Sequence, residues 1–492
     1  MRSLPGDFLG VNGEAVTAPS WVWRDRRFLR ALGALGPQAL RVFGGTPANF
    51  WDWRAGTFVS GAAVPSALAA ERGRVRITLG DWARVARAAS AGPVYDLNLV
   101  TSTLGEQLAM LHAARGLGLP VTRVELGNEL YLPRYAARFP TGADYGREAS
   151  RWLAAIKSAF PGVRVAAVGY LRPDIPGVGE DSRERDWNEG LLRTLRGEDA
   201  LTFHAYLSSG LGPGQRPLDQ RAAAAMLAVP RMRASRLRAQ LAALPSGVSG
   251  WVTEFNLFDR RAAAQASWAQ GLDVAAFALA LLSDPRVDQA DLHALVSSAP
   301  FGAIFPDTAG LDFGAPRASG ARAGGFQAPV AHSPQTTAFG RSAGGAALAL
   351  VLDGLRGAST GQPLSFASTS IPAPAAPGTL LGEQFQHGAH TAAVLVNLGP
   401  QPAAIALPAT LAGASWRQLA AAPAALVSGP ASLHRDRGRV LGRRMILAPY
   451  AVAELESRCS DTRPWRATAG RCSNAPRAGR DGPGRGGRGR GL

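Results

Sequence analysis

Residues 121–169 have the sequence VTRVELGNELYLPRYAARFPTGADYGREASRWLAAIKSAFPGVRVAAVG. Two short runs rich in β-branched residues, VTRVEL (121–126) and VRVAAVG (163–169), flank ADYGREASRWLAAIKSAF (143–160), in which apolar residues recur with helical spacing. Runs of the first kind are typical of buried strands, and a helix between two of them is typical of a parallel sheet. The stretch therefore predicts a strand, a helix and a second strand parallel to the first.

The same pattern recurs on both sides of this stretch. Amphipathic helical segments separate the β-rich runs as far as AGGAALALVLDGL (343–355). Eight strands, each followed by a helix, are typical of an α/β fold of the (β/α)8 or TIM-barrel class, which we expect over residues 1–356. The predicted strands are FLGVN (8–12), ALRVF (39–43), VYDLNLV (94–100), VTRVEL (121–126), VRVAAVG (163–169), ALTFHAY (200–206), GWVTEF (250–255) and DLHALVS (291–297).

The character of the sequence changes at about residue 357. From there to residue 456, short strands are interrupted by Pro and Gly, as in TAAVLVNLG and RRMILAPYAVAELE. This pattern predicts a small antiparallel β-sandwich. Residues 457–492 are rich in Arg and Gly, cannot bury a core, and are expected to be disordered.

Composition and charge exclude two classes of protein. The chain has 492 residues, and no apolar run reaches the roughly 18 residues that a membrane-spanning helix needs, so no integral membrane segment is predicted. The formal net charge is +17, of which +7 comes from nine Arg and two Asp in the tail 457–492. Because no basic helix face interleaved with aromatics appears elsewhere, the charge does not indicate a nucleic-acid partner.

The two cysteines bear on localisation. Cys459 and Cys472 lie 13 positions apart, and a disulfide between them would indicate an oxidising compartment, so we expect an exported, periplasmic or extracellular protein. The N-terminal sequence MRSLPGDFLGVNG has no apolar segment typical of a signal peptide, which leaves a cytoplasmic location open. The oligomeric state is not visible in the sequence.

Two carboxylates follow predicted barrel strands. LGNEL puts Asn128 and Glu129 after the fourth strand, and WVTEFN puts Glu254 at the end of the seventh. Active sites of such barrels form at the C-terminal ends of the strands, so we expect both glutamates in one cavity. A pair of carboxylates is what cleavage of a glycosidic bond requires, one as acid/base and one as nucleophile.

These motifs resemble those of the clan A retaining glycoside hydrolases, and most of all the heparanase-like β-glucuronidases. LRVFGGT (40–46), VELGNEL (124–130), FHAY (203–206) and the C-terminal APYAVAELE are similar to segments of that family, over about residues 8–456. The sequence WVTEFN around Glu254 is closer to the xylosidase and arabinofuranosidase branches of the clan. The resemblance implies a β-linked sugar substrate, with glucuronide first and xyloside or arabinofuranoside next.

The resemblance also implies roles for individual residues. Glu129 would be the acid/base, and Glu254 would be the nucleophile that forms a covalent glycosyl-enzyme intermediate. The supporting residues that we expect are Arg41 to hold Glu254 charged, Asn128 for the sugar 2-hydroxyl, Tyr206 to orient Glu254, His204 in the floor of the subsite or in a packing role, Asn98 as a sugar ligand, and Trp51 in the cleft or packed under its loop.

No cofactor or metal is predicted. No glycine-rich phosphate-binding run opens a helix after a strand, and two carboxylates supply the acid, base and nucleophile themselves. The expected partner is a carbohydrate substrate. Two alternatives on the same fold remain open, namely a non-catalytic carbohydrate-binding barrel and a polysaccharide-assembly factor.

Overall fold

Eight parallel strands close into a barrel in the computed structural model, which confirms the predicted fold class. The structure describes residues 1–61, 63–174, 179–210, 218–258, 262–297, 301–307, 338–366, 378–428 and 432–457. Each predicted strand overlaps one barrel strand. The strands are β1 Leu9–Glu14, β2 Ala39–Phe43, β3 Gly92–Asp96, β4 Arg123–Glu125, β5 Arg164–Val168, β6 Ala200–His204, β7 Ser249–Phe255 and β8 Val287–His293.

Five strands end earlier than predicted, β4, β5 and β6 by one or two residues and β3 and β8 by four. β3 ends at Asp96 because the amide oxygen of Asn98 accepts hydrogen bonds from the backbone N–H groups of Val100 and Thr101, which forms a turn. β8 ends at His293. After it, the Leu295 carbonyl oxygen accepts from the N–H of Ile304 in the short strand Ile304–Asp307 (2.9 Å), while the Leu295 N–H still donates to the Asn12 carbonyl oxygen of β1 (2.8 Å). His293 therefore lies at the rim of the barrel.

A helix follows every barrel strand. α1 shows how these helices are specified, because Phe28, Leu32 and Leu35 form one buried stripe, Asp25 caps the N-terminus, and Gly36 ends the helix with φ 68°. The helices are α1 Arg26–Leu35, α2 Leu79–Ala89, α3 Leu104–Gly116, α4 Gly142–Ala159, α5 Ser182–Thr194, α6 Val229–Ala242, α7 Trp268–Leu282 and α8 Ala343–Leu355, with three shorter ones at Ser66–Glu71, Gln220–Met226 and Ala262–Ala266.

A seven-stranded antiparallel sheet lies behind α7 and α8. The strands of this region are β9 Thr360–Pro363, β10 Leu380–His387, β11 His390–Asn397, β12 Ala403–Ala406, β13 Ser415–Ala420, β14 His434–Arg439, β15 Arg444–Leu447 and β16 Ala451–Glu456. The order in the sheet is Arg2–Ser3, β9, β10, β11, β16, β13, β14, and β12 pairs with β15 in a separate two-stranded sheet.

The boundary between barrel and sheet differs from the predicted one at the N-terminus. Arg2–Ser3 pairs antiparallel with β9, so the first residues of the chain belong to the second sheet rather than to a barrel over 1–356. Because α7 and α8 are covered by the barrel on one side and by this sheet on the other, nearly all of their side chains are buried. Residues 1–458 accordingly form one compact unit.

The predicted tail from residue 458 onward, with Cys459 and Cys472, lies outside the described residues. Among the helices that are described, none combines the length and the hydrophobicity that crossing a membrane requires.

Candidate active site

Glu129 and Glu254 meet at the C-terminal end of the barrel. Glu254 is on β7, and Glu129 lies in the turn after β4, where it adopts a left-handed backbone with φ 48°. Gly127 makes this turn with φ 94°, a conformation that side chains with a Cβ rarely adopt. The turn directs Glu129 back over the barrel, with its side chain 22% exposed, whereas that of Glu254 is 5% exposed.

His204, the last residue of β6, lies between the two carboxylates. Its Nδ1 is 2.9 Å from Glu129 Oε1 and 3.5 Å from Glu254 Oε2, and the three ligand atoms lie within 4.8 Å of one another. Carboxyl groups about 5–5.5 Å apart are typical of retaining glycosidases, and those of inverting enzymes are about 6.5–9.5 Å apart. Carboxylate oxygens no more than 4.8 Å apart are closer than the spacing of an inverting pair and agree better with a retaining one.

Arg41 on β2 contacts several acidic and amide side chains of the site at once. Its side chain is fully buried, and its guanidinium donates through Nη1 to Glu254 Oε1 (2.8 Å), through Nη2 to Asn128 Oδ1 (2.9 Å) and through Nε to Glu125 Oε2 (2.6 Å). Nη2 also lies 2.9 Å from Asp96 Oδ2. A planar guanidinium with several N–H donors holds these groups in one fixed arrangement.

Glu254 is held in its ionised form. Burial on its own raises the pKa of this carboxyl, but the charges of His204, His293 and Arg41 and a hydrogen bond from the Tyr206 hydroxyl outweigh it and lower the pKa to about 2. An ionised carboxylate with a low pKa suits a nucleophile. Tyr206 itself stays neutral, because burial and the nearby Glu254 raise the pKa of its phenol.

The other glutamate has a different set of partners. Glu129 Oε1 accepts a hydrogen bond from the Tyr131 hydroxyl (3.1 Å) in addition to its contact with His204. Burial, opposed by the negative charges of both glutamates and by the hydrogen bond to Glu129, leaves the pKa of His204 above its usual value. His204 is therefore a buried imidazole that contacts both carboxylates and takes up a proton more readily than a free histidine does.

Asn128 is fixed by a residue that the sequence analysis did not select. Asn49 donates to the Asn128 carbonyl oxygen (2.7 Å) and accepts from the Asn128 N–H (3.1 Å), so its amide pairs with the backbone like a neighbouring strand. Asn49 lies in the TPANF segment after β2. The pairing sets the position of the whole turn that carries Glu129.

Two further residues at the rim come from β1 and β8. The Nε2 atom of His293 is 3.1 Å from Glu14 Oε2. Asn12 donates through Nδ2 to Glu254 Oε1 (3.3 Å). Aromatic contacts of His293 with Tyr206 (6.2 Å) and Phe301 (5.5 Å) place its ring beside the tyrosine that donates to Glu254. Active-site residues of such barrels follow the ends of the strands, and this rule would have selected His293. The predicted eighth strand continued to residue 297, however, so His293 lay inside it.

Asn98 and Trp51, expected near the substrate, have structural roles instead. The Asn98 amide donates to the Trp51 carbonyl oxygen (3.2 Å) and to Thr101 Oγ1 (2.8 Å), and its oxygen accepts from the turn after β3. Trp51 is 3% exposed, because its ring stacks on Phe43 with centroids 5.7 Å apart and packs edge-on against Phe58. Asn98 is a correction to the expected ligand set, and Trp51 takes the packed position that was the alternative to its place in the cleft.

Glu129, His204 and Glu254 are also the one group among the described residues whose ligand atoms are close enough to hold a metal ion. The hydrogen bond between His204 and Glu129 and the 3.5 Å contact between His204 and Glu254 account for the same proximity. Nothing in the arrangement requires a metal to explain it.

The contacts of Arg41 lead to a prediction about stability. Replacing Arg41 with Met leaves Glu125 buried without its cation, and breaking a buried pair in this way costs about 3–5 kcal/mol. We expect the free energy of unfolding, measured by urea denaturation, to fall by that amount. Arg54→Met is the matched control, since Arg54 forms an exposed ion pair with Glu106 and its loss should cost less than about 1 kcal/mol. Equal effects of the two substitutions would contradict the role of Arg41.

The pKa of Glu254 predicts how stability depends on pH. A carboxyl whose pKa falls from 4.5 in the unfolded chain to about 2 contributes stability that is present above pH 4.5 and lost as the pH drops toward 2. The excess stability of the wild type over Glu254→Gln should therefore shrink by a few kcal/mol across this window. Urea midpoints at successive pH values measure it, and a difference that stays constant would contradict the assignment.

Comparisons with known proteins identify the class of fold. The structure is similar to the GH51 α-L-arabinofuranosidase from Thermotoga petrophila RKU-1, with a TM-score of 0.64 and 15% identity over 93% of this chain and 98% of that one. It is also similar to the GH51 arabinofuranosidase from Xanthomonas axonopodis pv. citri (TM-score 0.64, 15% identity, 92% of this chain and 97% of that one).

A third similar structure is a 4-O-α-L-rhamnosyl-β-D-glucuronidase from Fusarium oxysporum 12S, with a TM-score of 0.56 and 12% identity over 92% of this chain and 96% of that one. No protein-family model matches the sequence, and no curated protein matches it significantly. At these identities the similarities establish the fold, a (β/α)8 barrel carrying a second β-sheet region, and not the substrate.

Proposed function

We propose that this protein is a retaining glycoside hydrolase in which Glu254 is the nucleophile and Glu129 is the acid/base. The observation that carries the proposal is the spacing of the two carboxylates, whose nearest oxygens lie within 4.8 Å at the ends of β4 and β7. Several proteins of the same fold are glycosidases by name, which supports the same reaction class.

The reaction proceeds in two displacements. In the first, a Glu254 carboxylate oxygen bonds to the anomeric carbon while the bond to the leaving oxygen breaks, and that oxygen takes the proton of the Glu129 carboxyl. In the second, Glu129 accepts a proton from water, the water oxygen bonds to the anomeric carbon, and Glu254 leaves. Two inversions give net retention of configuration.

The charges of the site favour a neutral sugar. Arg41 pairs with Glu125, Asp96 and Glu254, and His204 pairs with Glu129. His293 pairs with Glu14 in the same way. Among the described residues, Arg41, His204 and His293 each already face a carboxylate of the protein, so none of these three is free to pair with a sugar carboxylate. We therefore propose a neutral pentoside, an α-L-arabinofuranoside first and a β-xyloside next.

A glucuronide, which the sequence resemblance favours, is the second candidate. The structural similarity to the rhamnosyl-β-D-glucuronidase is the observation that supports this second candidate. Export to the periplasm or the cell exterior remains a proposal that follows from Cys459 and Cys472, and cell fractionation would test it.

The test is release of 4-nitrophenol from α-L-arabinofuranoside, β-D-xyloside, β-D-glucuronide and β-D-glucoside substrates. We expect the arabinofuranoside to give the highest kcat/KM, and proton NMR of the first product to show the anomer of the substrate. The inverted anomer would contradict the retaining assignment. Fastest cleavage of the glucuronide would overturn the sugar assignment and leave the reaction class in place, and binding of oligosaccharides without cleavage would favour a carbohydrate-binding protein.

A further inference from the structure

A second cavity lies on the flank of the barrel, away from the catalytic strand ends. Its volume is about 690 Å³, and it is bounded by α1, α8, the short strand Ala338–Arg341, β13 and β14. Cavities that bind small molecules commonly have volumes of about 300–1,000 Å³. None of the residues described above in the candidate active site lines it, so it is a separate candidate site.

One side of this flank cavity is apolar. Ala31 of α1, Ala346 and Leu350 of α8, and Leu433 before β14 contribute side chains without polar atoms, and Phe339 adds a half-buried ring. Such a surface favours a ligand that brings an apolar body out of water, at about 25 cal/mol per Å² buried.

The remaining lining of the flank cavity is largely basic. Four arginines, Arg341, Arg417, Arg435 and Arg437, line the cavity together with only two acidic residues, Asp353 and Asp436, for a formal excess of +2. Arg417 is paired, since its guanidinium contacts Asp353 and donates to Glu454 Oε2 (3.0 Å). Arg341, in contrast, donates to a neutral group, the Ala34 carbonyl oxygen (2.7 Å).

The arginines are close enough to repel one another. Burial lowers the pKa of Arg341, and the charges of Arg417 and Arg435 lower it further against the opposing effect of Asp353. An anion between these guanidinium groups would relieve this repulsion and accept charge-assisted hydrogen bonds from Arg341.

We propose that the flank cavity binds a small amphipathic anion, an acyl or aryl carboxylate whose acid group meets Arg341 and whose apolar body covers Ala31, Leu350 and Leu433. The ligand would contact α1 and α8 of the barrel as well as β13 and β14 of the second sheet. Because it binds the folded state, it stabilises the protein and raises the melting temperature.

Isothermal titration calorimetry with octanoate tests the proposal, with acetate and 1-octanol as matched probes. Acetate lacks the apolar chain, and 1-octanol lacks the charge. We expect saturable binding of octanoate by the full-length wild type, at least tenfold weaker binding of the other two probes, and a rise in Tm with octanoate. Binding of 1-octanol as tight as that of octanoate, or no binding of octanoate, would overturn the proposal.

Three variants test whether octanoate binds in the flank cavity. Arg341→Met removes the cation, and Ala31→Leu fills the apolar side while keeping every charge, so each should weaken octanoate binding at least tenfold. Arg439→Met is the control, since it removes the same charge from an exposed position on β14 that does not line the cavity. If Arg341→Met does not fold, as judged by circular dichroism, Ala31→Leu decides. Equal affinities of the Ala31→Leu variant and the wild type would overturn the proposal.

The proposal does not use the catalytic residues. Glu254→Gln should bind octanoate as the wild type does, whether or not the wild type hydrolyses a glycoside. Loss of octanoate binding in Glu254→Gln would contradict a separate site.

Discussion

Glu254→Gln is expected to lower kcat on the best 4-nitrophenyl glycoside by at least about 10⁴-fold, because the covalent intermediate cannot form without the carboxylate. Gln keeps the side-chain length and can still accept from Arg41 Nη1, so the buried network around Arg41 loses only one charge. The measurement is the steady-state release of 4-nitrophenol by purified variant and wild type. The effect should be among the largest of any single substitution.

The control for this substitution is Glu106→Gln. Glu106 is an exposed carboxylate that pairs with Arg54, and its replacement should leave kcat unchanged. A Glu254→Gln variant that is folded and retains more than a tenth of the wild-type rate would show that another group attacks the anomeric carbon.

Glu129→Ala is expected to lower kcat much more than kcat/KM. 4-Nitrophenolate leaves without much help from an acid, so kcat/KM, which reports the first displacement, should fall modestly. Hydrolysis of the intermediate needs the base, and kcat should fall by about 10²–10⁴-fold. A burst of 4-nitrophenol followed by slow turnover would show the accumulated intermediate.

Sodium azide distinguishes an acid/base from a structural role for Glu129. Azide is a nucleophile that needs no base, so it should restore the turnover of Glu129→Ala and leave the wild type nearly unaffected. Tyr131→Phe is a useful companion, since it removes only the hydrogen bond to Glu129 Oε1 and should cost far less. Equal losses in kcat and kcat/KM without any effect of azide would contradict the assignment.

Some of the supporting residues were accessible from the sequence because they follow strands whose positions are coded locally. Arg41, His204 and Glu254 lie at or near the ends of β2, β6 and β7, and the strand-end rule selects them directly. The same rule failed at His293, because the apolar residues 294–296 extend the pattern of β8 although the carbonyl oxygens of Ala294 and Leu295 accept from Ala303 and Ile304 and not from a barrel strand.

The motif ELGNEL contains two glutamates, and only the tertiary structure distinguishes their environments. Glu125 is a strand residue that lies fully buried under Arg41 and accepts from Thr253 (3.1 Å), whereas Glu129 follows Gly127 into the cleft. The roles of Asn49 and Glu14 are likewise visible only in the tertiary structure, since each contacts residues that are distant in sequence. Spacing along the chain carries no signal for such contacts.

By itself, then, the sequence determined the eight strands, the helices between them and the two carboxylates, since periodicity and strand ends are local properties of the chain. The tertiary structure alone decided the inward packing of Trp51, the turn made by Asn98, the pairing of Arg2–Ser3 with β9, and the flank cavity. These depend on which surfaces meet when the barrel closes, because burial and pairing arise from contacts between segments far apart in the chain.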